Sequence, residues 1–463
     1  MAATSFDLIV LGAGSAAREA AAHAVADHGA RVALVERERW GGQCPNVACK
    51  PTKQYVTAAE LLYNLTVAPD LGVETGRRSF DLARLKARKD RLVGTQETWL
   101  QRFHDAGFDT FAGEGTFVDS SSVRVGRRVL TAERILIATG SRTAVPPIEG
   151  IERVSWIDHI DALELETVPA SMLVLGAGAV GLELGQAFSR FGSRVTIVEG
   201  AERIAPRSDA DAANEVTSAL MDEGISVVTN TFVTRVEPQA RSIVATLTPR
   251  DGSPSSTVAV ESLLVASGRV PNVEALALER VGVGASPAGI DVDEQMRTTV
   301  PGIWAAGDVT ATIQLTPVAS YQAQVAIADM FDGATRMADY SAIPTAIFTD
   351  PELAGVGLTE AEARERGFDV ETSSYAARDL LRPYYLADNP RGLVKLVYER
   401  GSRRLLGLHV ATRGASELVQ GFAVALRLGA TVDDVALGHY AFPTYGEGIH
   451  YAAEAALAPA TIA

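Results

Sequence analysis

Cys44 and Cys49 are the two cysteines of a 463-residue chain, and they fall in one stretch, Gly41-Gly42-Gln43-Cys44-Pro45-Asn46-Val47-Ala48-Cys49-Lys50-Pro51-Thr52-Lys53. Two thiols with four residues between them, and none elsewhere, can cycle between dithiol and disulfide and so carry an electron pair. Pro45 suits the first position of a helix, and the residue before a proline is pushed out of helical geometry. Cys44 is therefore expected at a helix entrance, where unpaired backbone N–H groups and the helix dipole favour a thiolate. A regular helix turns by about 140° over five residues, so a disulfide between these positions requires a distorted first turn, which makes it easier to reduce. A metal site would need further ligands, and no other cysteine and no nearby histidine supplies them. Two inert buried cysteines are the plain alternative.

The elements that must position these thiols surround them. Phe6 to Leu11 reads as a buried strand running into Gly12-Ala13-Gly14-Ser15-Ala16-Ala17, then an alanine-rich helix to Gly29 and a second strand, Arg31 to Val35, closed by Glu36. This is a dinucleotide-binding fingerprint in its structural context. Gly12 allows the tight turn, Gly14 lets the backbone approach a diphosphate, Ala17 permits close helix–strand packing, and Glu36 is placed to accept bonds from ribose hydroxyls. The pattern recurs as Met172 to Leu175, then Gly176, Gly178 and Gly181, a helix to Gly192, and a strand, Val195 to Val198, ending at Glu199. First glycine to terminal acid spans 24 residues in the first copy and 23 in the second. Two such units imply two bound dinucleotides. Glu199 favours NADH, since a carboxylate binds ribose hydroxyls and repels a 2′-phosphate, while Arg194 and Arg203 leave NADPH open.

Length predicts two to four domains with ample core. A hydrophobic fraction of 47% and a charged fraction of 21% are those of an ordinary globular protein. A net charge of −15 argues against a nucleic-acid or anionic-membrane partner. No apolar run is long enough to span a bilayer, and Met1 to Phe6 lacks the pattern of a leader. A reducing cytoplasm is expected, where a disulfide is catalytic rather than structural.

The glycine fingerprint followed by Gly-Gly-x-Cys-x-x-x-x-Cys-x-Pro-Thr-Lys resembles the FAD-dependent pyridine-nucleotide disulfide oxidoreductases, the family of dihydrolipoamide dehydrogenase, glutathione reductase and mercuric reductase. The resemblance implies an α/β fold of two Rossmann-like dinucleotide-binding domains and a C-terminal α+β dimerisation domain, assembled as a homodimer. It implies FAD at the first unit, with Gly42 beside it, and NADH at the second. Cys49 would lie against the flavin and Cys44 would be the outer, interchange thiol. Lys53 would lie near the flavin and pair with Glu183. Ala138-Thr139-Gly140, Gly268 and Gly307-Asp308 match the family's flavin-domain segments, Asp308 bonding the ribityl chain. Lys50 is unusual in the family, and a cation there could favour the Cys49 thiolate. The implied division is 1–147 and 269–340 for the flavin domain, 148–268 for the nicotinamide domain and 341–463 for the interface domain.

Local readings fill in the remainder. Residues 55 to 107 read as two helices around a loop near Pro69 to Ser79, with Lys86, Arg88, Lys89 and Arg91 on a solvated face. Val123 to Val129 and Arg134 to Ile137 are strand-like, and Ile225 to Thr248 with Thr257 to Val260 reads as a strand meander. A helix is expected from Pro317 to Phe331. Strands at Gly392 to Tyr398 and Leu405 to Thr412 precede a helix from Ser416 to Leu428.

One departure is informative. Dihydrolipoamide dehydrogenase and glutathione reductase carry His-Pro-Thr-x-x-Glu, where the histidine shuttles a proton to the interchange thiol and the glutamate orients it. This chain reads Phe442-Pro443-Thr444-Tyr445-Gly446-Glu447. Phenylalanine carries no proton, so efficient turnover of lipoamide or glutathione disulfide is not expected, although His439 and His450 lie close in sequence. Mercuric reductase shares the loss but uses a C-terminal cysteine pair, which the ending Ala-Pro-Ala-Thr-Ile-Ala463 lacks. The ketopropyl-coenzyme M oxidoreductase/carboxylase shares the Cys-Pro-x-x-Ala-Cys segment and the phenylalanine, but replaces the glutamate by histidine. The sequence thus points to an NAD(P)H- and FAD-dependent enzyme whose Cys44–Cys49 pair reduces a small acceptor: a disulfide with a good leaving group, a thiol-reactive compound or a soft metal ion. A carboxylating C–S lyase, an NADH-dependent quinone reductase and a subunit of a larger complex are the alternatives.

Overall fold

The computed structural model describes residues 4–76, 79–310, 312–333, 335–387 and 390–458. Arg77 and Arg78 of the loop near Pro69 to Ser79, and residues 459–463 of the cysteine-free ending, lie outside that set. Two compact units are formed: one from 1–51, 87–144 and 268–339, the other from 52–86, 145–267 and 340–463.

The first unit is built on a five-stranded parallel sheet. Its central strand, Leu8–Leu11, is buried at every residue, which is what a strand covered on both faces demands. Val32–Glu36 pairs on one side and Ile135–Ile137 on the other, with Asp109–Ala112 and Ile303–Ala305 at the edges. Helix Ser15–His28 makes the crossover, burying Ala16, Ala17, Ala20, Ala21 and Ala24, and ends at left-handed Gly29. Side chains this small let the helix lie close to helix Thr316–Asp332, which shares its core. The stretch read as one strand from Val123 to Val129 is a hairpin instead, Ser122–Val125 with Arg128–Thr131, turning at Gly126 with φ +57°. The two helices expected over 55–107 are three: Cys49–Val67, Leu82–Val93 and Gln96–Asp105. Thr95 starts the third by accepting the Thr98 N–H. Lys89, assigned to a solvated face, is 3% exposed and pairs with Asp90.

In the second unit, strands Ser171–Leu175, Arg194–Val198, Ser226–Val228 and Ser262–Val265 form a parallel sheet, with Ala179–Phe191 as the crossover helix. The meander Thr231–Gln239, Ser242–Pro249 and Ser256–Val260 is antiparallel. Its C-terminal part is a five-stranded antiparallel sheet in the order Thr345–Ile347, Glu352–Gly357, Leu405–Thr412, Leu393–Glu399, Val370–Ala376. Helices Ala415–Arg427 and Glu447–Leu457 pack on it through Val419, Phe422, Ile449, Ala452 and Ala453.

This C-terminal sheet holds a buried cation. Lys395, on its fourth strand and 3% exposed, reaches Asp209 at 3.1 Å, Asp211 at 2.6 Å and Glu360 at 2.9 Å. Asp209 is 2% exposed and caps helix Ala210–Asp222. Burial alone would lower the lysine pKa, but Asp211, Glu360 and Asp209 outweigh it and hold it well above the ordinary value. A raised folded-state pKa stabilises fully below the unfolded-chain value and is lost only as pH rises beyond it. Lys395→Met therefore leaves Asp209 buried without its cation and is expected to cost about 3–5 kcal/mol, read by urea unfolding. The deficit should hold from neutral pH up to roughly 10; equal stability of the two proteins would refute it.

Candidate active site

The thiol segment begins with two left-handed glycines, Gly41 at φ +90° and Gly42 at φ +74°. A Cβ on Gly42 would fall 2.4 Å from Gly14 Cα, so the segment and the first glycine turn meet backbone to backbone. One helical turn, Gln43–Asn46, follows and breaks at Val47, whose φ is −139°. The long helix Cys49–Val67 then begins. The thiols thus lie on two separate helical pieces, Cys44 second in the first and Cys49 first in the next, which is the distortion that the spacing demanded. Pro45 is third in its turn rather than first, because the glycine pair starts the helix at Gln43.

Side chains not anticipated from the sequence tie this segment down. Asn46, 6% exposed, donates to Trp40 O at 2.9 Å and Gly42 O at 2.7 Å and accepts from Trp99 Nε1 at 3.2 Å. Gln43 donates to Ser141 O at 2.6 Å and accepts from Arg269 at 2.6 Å. Both residues stand beside the cysteines, but Trp99, Ser141 and Arg269 are distant in sequence, so local pattern gave no sign of those bonds. Cys44 is half-buried, and Cys49 is exposed with its Sγ 3.7 Å from Thr316 Oγ1. The Lys50 ammonium donates to Leu92 O at 2.5 Å.

The first glycine turn forms a cradle. A Cβ on Gly12 would stand 2.2 Å from Ala138 O. Gly12, Glu36, Gly113, Gly115, Thr139 and Asn272 border a cavity of about 60 Å³ that opens to solvent. Glu36 accepts from Ala13 N at 3.0 Å, Glu38 N at 2.7 Å and Arg39 N at 3.1 Å. An ionised carboxylate offers about four acceptor sites, so one is left for a ribose hydroxyl. Thr139 and Asn272 exchange side-chain bonds with each other's carbonyls at 2.7 and 2.9 Å, and Asn272 N donates to Gly140 O. Asp308 accepts from Ser141 Oγ at 2.6 Å, with Arg269 Nε at 3.7 Å. The neighbouring Gly307 N donates to the buried Gln322. Gly268, at φ +133°, opens the third segment of this unit. The glycine cradle, the cavity and the free acceptor site fit the adenosine and diphosphate of FAD.

The second unit repeats the cradle. A Cβ on Gly181 would lie 2.0 Å from Gly176 O, so glycine is required where Ala17 stands in the first copy. Gly178 is the N-cap of Ala179–Phe191. Glu199 accepts from Ala177 N at 2.8 Å and Ala201 N at 2.9 Å, leaving two acceptor sites at the strand end. Arg203 is spent on the carbonyls of Ile204, Ala205 and Pro206, and Arg194 is exposed. These residues fit a nicotinamide dinucleotide. In the same unit Lys53 Nζ lies 2.6 Å from Glu183 Oε2 and 4.4 Å from the Phe348 ring centroid. Glu183 is 4% exposed, and its other oxygen accepts from Phe348 N at 3.0 Å.

At the C-terminal end Phe442 precedes a cis peptide bond and is 68% exposed. Glu447 is buried and engaged elsewhere: Thr444 N donates to Oε2 at 2.8 Å and Tyr451 OH to Oε1 at 3.2 Å. His450 turns its Nε2 to Glu454 at 3.3 Å, while its Nδ1 is buried without a partner among the described residues. His439 is exposed.

Two dinucleotide cradles and one thiol pair on a single chain define a flavin- and nicotinamide-dependent disulfide oxidoreductase. Residues 6–323 match the family "Pyridine nucleotide-disulphide oxidoreductase", and residues 343–453 match the dimerisation domain of that family. The chain belongs to this family. It is 37% identical over 460 residues to a mercuric reductase of Streptomyces lividans, covering 97% of this chain and 96% of that one. It is 34% identical over 458 residues to a dihydrolipoyl dehydrogenase of Staphylococcus aureus, with coverages of 97% and 96%. Among solved structures, the Cu(II) complex of the HOCl-induced flavoprotein disulfide reductase RclA from Escherichia coli superimposes with a TM-score of 0.86 at 28% identity, covering 98% of this chain and 99% of that one. FAD and NAD(P)H are the cofactors of the family, and the chain is an FAD-dependent disulfide oxidoreductase. No described helix is long and apolar enough to cross a membrane.

Proposed function

We propose that this homodimeric enzyme uses NADH to reduce a soft, thiophilic metal ion at the Cys44–Cys49 pair. The observation that carries the reading is Phe442. Where lipoamide- and glutathione-reducing relatives hold a proton-carrying histidine, this chain holds an exposed phenylalanine, and Glu447 is bonded to Thr444 and Tyr451 instead. A metal ion needs no proton to leave. Relatives named mercuric reductase and a Cu(II) complex of a structural neighbour support the same class of acceptor.

Bound together, FAD and NADH supply a hydride and convert it to an electron pair deliverable to a disulfide. Gly12, Gly14, Ala17, Gly42, Glu36, Ala138, Thr139, Gly140, Gly268, Gly307 and Asp308 would hold the first. Gly176, Gly178, Gly181 and Glu199 would hold the second. Lys53, on the helix that Cys49 begins, is fixed by Glu183. Cys49 and Cys44 end as thiolates when their S–S bond is broken by two electrons. A mercuric ion bridged by both sulfurs takes those electrons and leaves as the neutral metal, and the S–S bond re-forms. Lipoamide would instead require a proton for each departing sulfur, which nothing at position 442 provides.

With FAD loaded, NADH oxidation driven by mercuric ion should exceed that driven by lipoamide or glutathione disulfide by about two orders of magnitude, and Cys44→Ser should abolish it. Phe442→His should raise lipoamide turnover at least roughly tenfold. Lipoamide turnover by the native enzyme at the metal rate would overturn the reading. So would activity that survives Cys44→Ser, which would favour a quinone reductase working without the thiols. With Glu199 open and Arg203 occupied, kcat/KM for NADH should exceed that for NADPH by roughly tenfold or more, a gap that Glu199→Ser narrows; equal use of the two nucleotides would contradict this.

A further inference from the structure

The second unit holds a cavity that neither dinucleotide cradle uses. It has a volume of about 140 Å³ and opens to solvent. Its walls are the helix that carries Lys53, the crossover helix Ala179–Phe191 and the turn from Phe348 to Glu352. The space has room for several waters, and its polar walls offer them partners. Glu60, Glu352 and Glu183 line it at increasing depth: the Glu60 side chain is 42% exposed, Glu352 is half-buried and Glu183 is 4% exposed. The arginines are engaged. Arg190 reaches Glu223 at 2.7 Å and Asp350 at 2.9 Å, and Arg413 reaches Glu60 at 2.9 Å and Asn64 at 3.0 Å.

The two ends of the cavity differ. At the inner end Glu183 Oε2 lies 2.6 Å from Lys53 Nζ. Lys53 stands one turn beyond Cys49 on the same helix face. Nearer the mouth, Ser416 N donates to Glu352 Oε2 at 2.8 Å. Burial raises the Glu352 pKa, the Ser416 bonds oppose that, and the negative charges of Glu60 and Glu417 add to the rise. This moves Glu352 toward the range in which a carboxyl both accepts and releases protons.

One product of the reaction needs a carrier. The hydride of NADH is a proton with two electrons. The electrons break the S–S bond and leave Cys44 and Cys49 as thiolates, NAD+ departs, and one proton remains. NADH and the disulfide thus give NAD+, two thiolates and a proton, and atoms and charge balance. Phe442 cannot take that proton. We propose that the cavity is its exit: the proton passes from the Lys53–Glu183 pair through waters to Glu352, and from there to Glu60 and solvent. Glu352 is a relay residue rather than a catalytic one. The inference rests on both sulfurs ending as thiolates and on Lys53 standing beside the flavin; it does not depend on which acceptor follows.

The experiment is anaerobic stopped-flow mixing of the FAD-loaded enzyme with one equivalent of NADH, in weak buffer with phenol red. Three events are read: loss of oxidised-flavin absorbance as hydride arrives, the thiolate-to-flavin band as the disulfide opens, and acidification of the dye. The parent should acidify the dye in step with the thiolate band. Glu352→Gln keeps the side-chain shape and an acceptor for Ser416 N. It should leave hydride arrival unchanged and slow both later events by about tenfold or more, and formate, a carboxylic acid small enough for the cavity, should restore them. Glu60→Gln should act in the same sense and serves for comparison if Glu352→Gln does not fold. Parent rates in the variants would overturn the proposal. So would a slowing that formate leaves in place, since Glu352 would then be a structural prop. A thiolate band without acidification would sink this inference and spare the thiol-pair reading, whereas no thiolate band in the parent would sink both.

Discussion

The contact between Gly14 and Gly42 is the constraint on which the rest depends. Two glycines, 28 residues apart in sequence, let the dinucleotide turn and the thiol segment share one point of backbone contact. Any side chain at Gly42 would collide with Gly14 and displace the turn that carries Cys44. The positive φ of Gly41 and Gly42 then starts the short turn that carries Cys44, and its break at Val47 lets Cys49 begin a new helix. Redox geometry follows from a chain that is forbidden to continue one regular helix.

Rigidity around that point comes from polar side chains rather than from apolar burial alone. Asn46 ties the turn to Trp40, Gly42 and Trp99, and Gln43 ties it to Ser141 and Arg269. Such a bonded set favours one arrangement, because each unmade bond would cost more than a made one returns. The second unit uses the same device twice, in the Lys53–Glu183 pair and in the Lys395 cluster. Both cations are fixed by carboxylates that are themselves held by backbone N–H groups.

Much of this was legible in the sequence. The strand–glycine–helix–strand–acid order is local, and both cradles fall where it placed them. The thiol spacing demanded a broken helix, and the chain supplies one. Illegible features depend on partners far away: Trp99 under Gly41, Arg269 on Gln43, and Lys395 drawing Asp209, Asp211 and Glu360 together. Local readings failed where a short turn competes with propensity. Gly126 makes a hairpin of an apparent single strand, and the Thr95 cap makes a third helix. Lys89 looked solvated because it falls in a basic cluster with Lys86, Arg88 and Arg91, yet its side chain is buried.

The central claim is that the electron pair comes to rest on Cys44 and Cys49. Anaerobic addition of a single equivalent of NADH to the FAD-loaded enzyme, with thiols titrated afterwards, measures this directly. The account predicts two new thiols per chain while the flavin keeps the visible absorbance of its oxidised form. Bleaching of the flavin with no new thiols would contradict it.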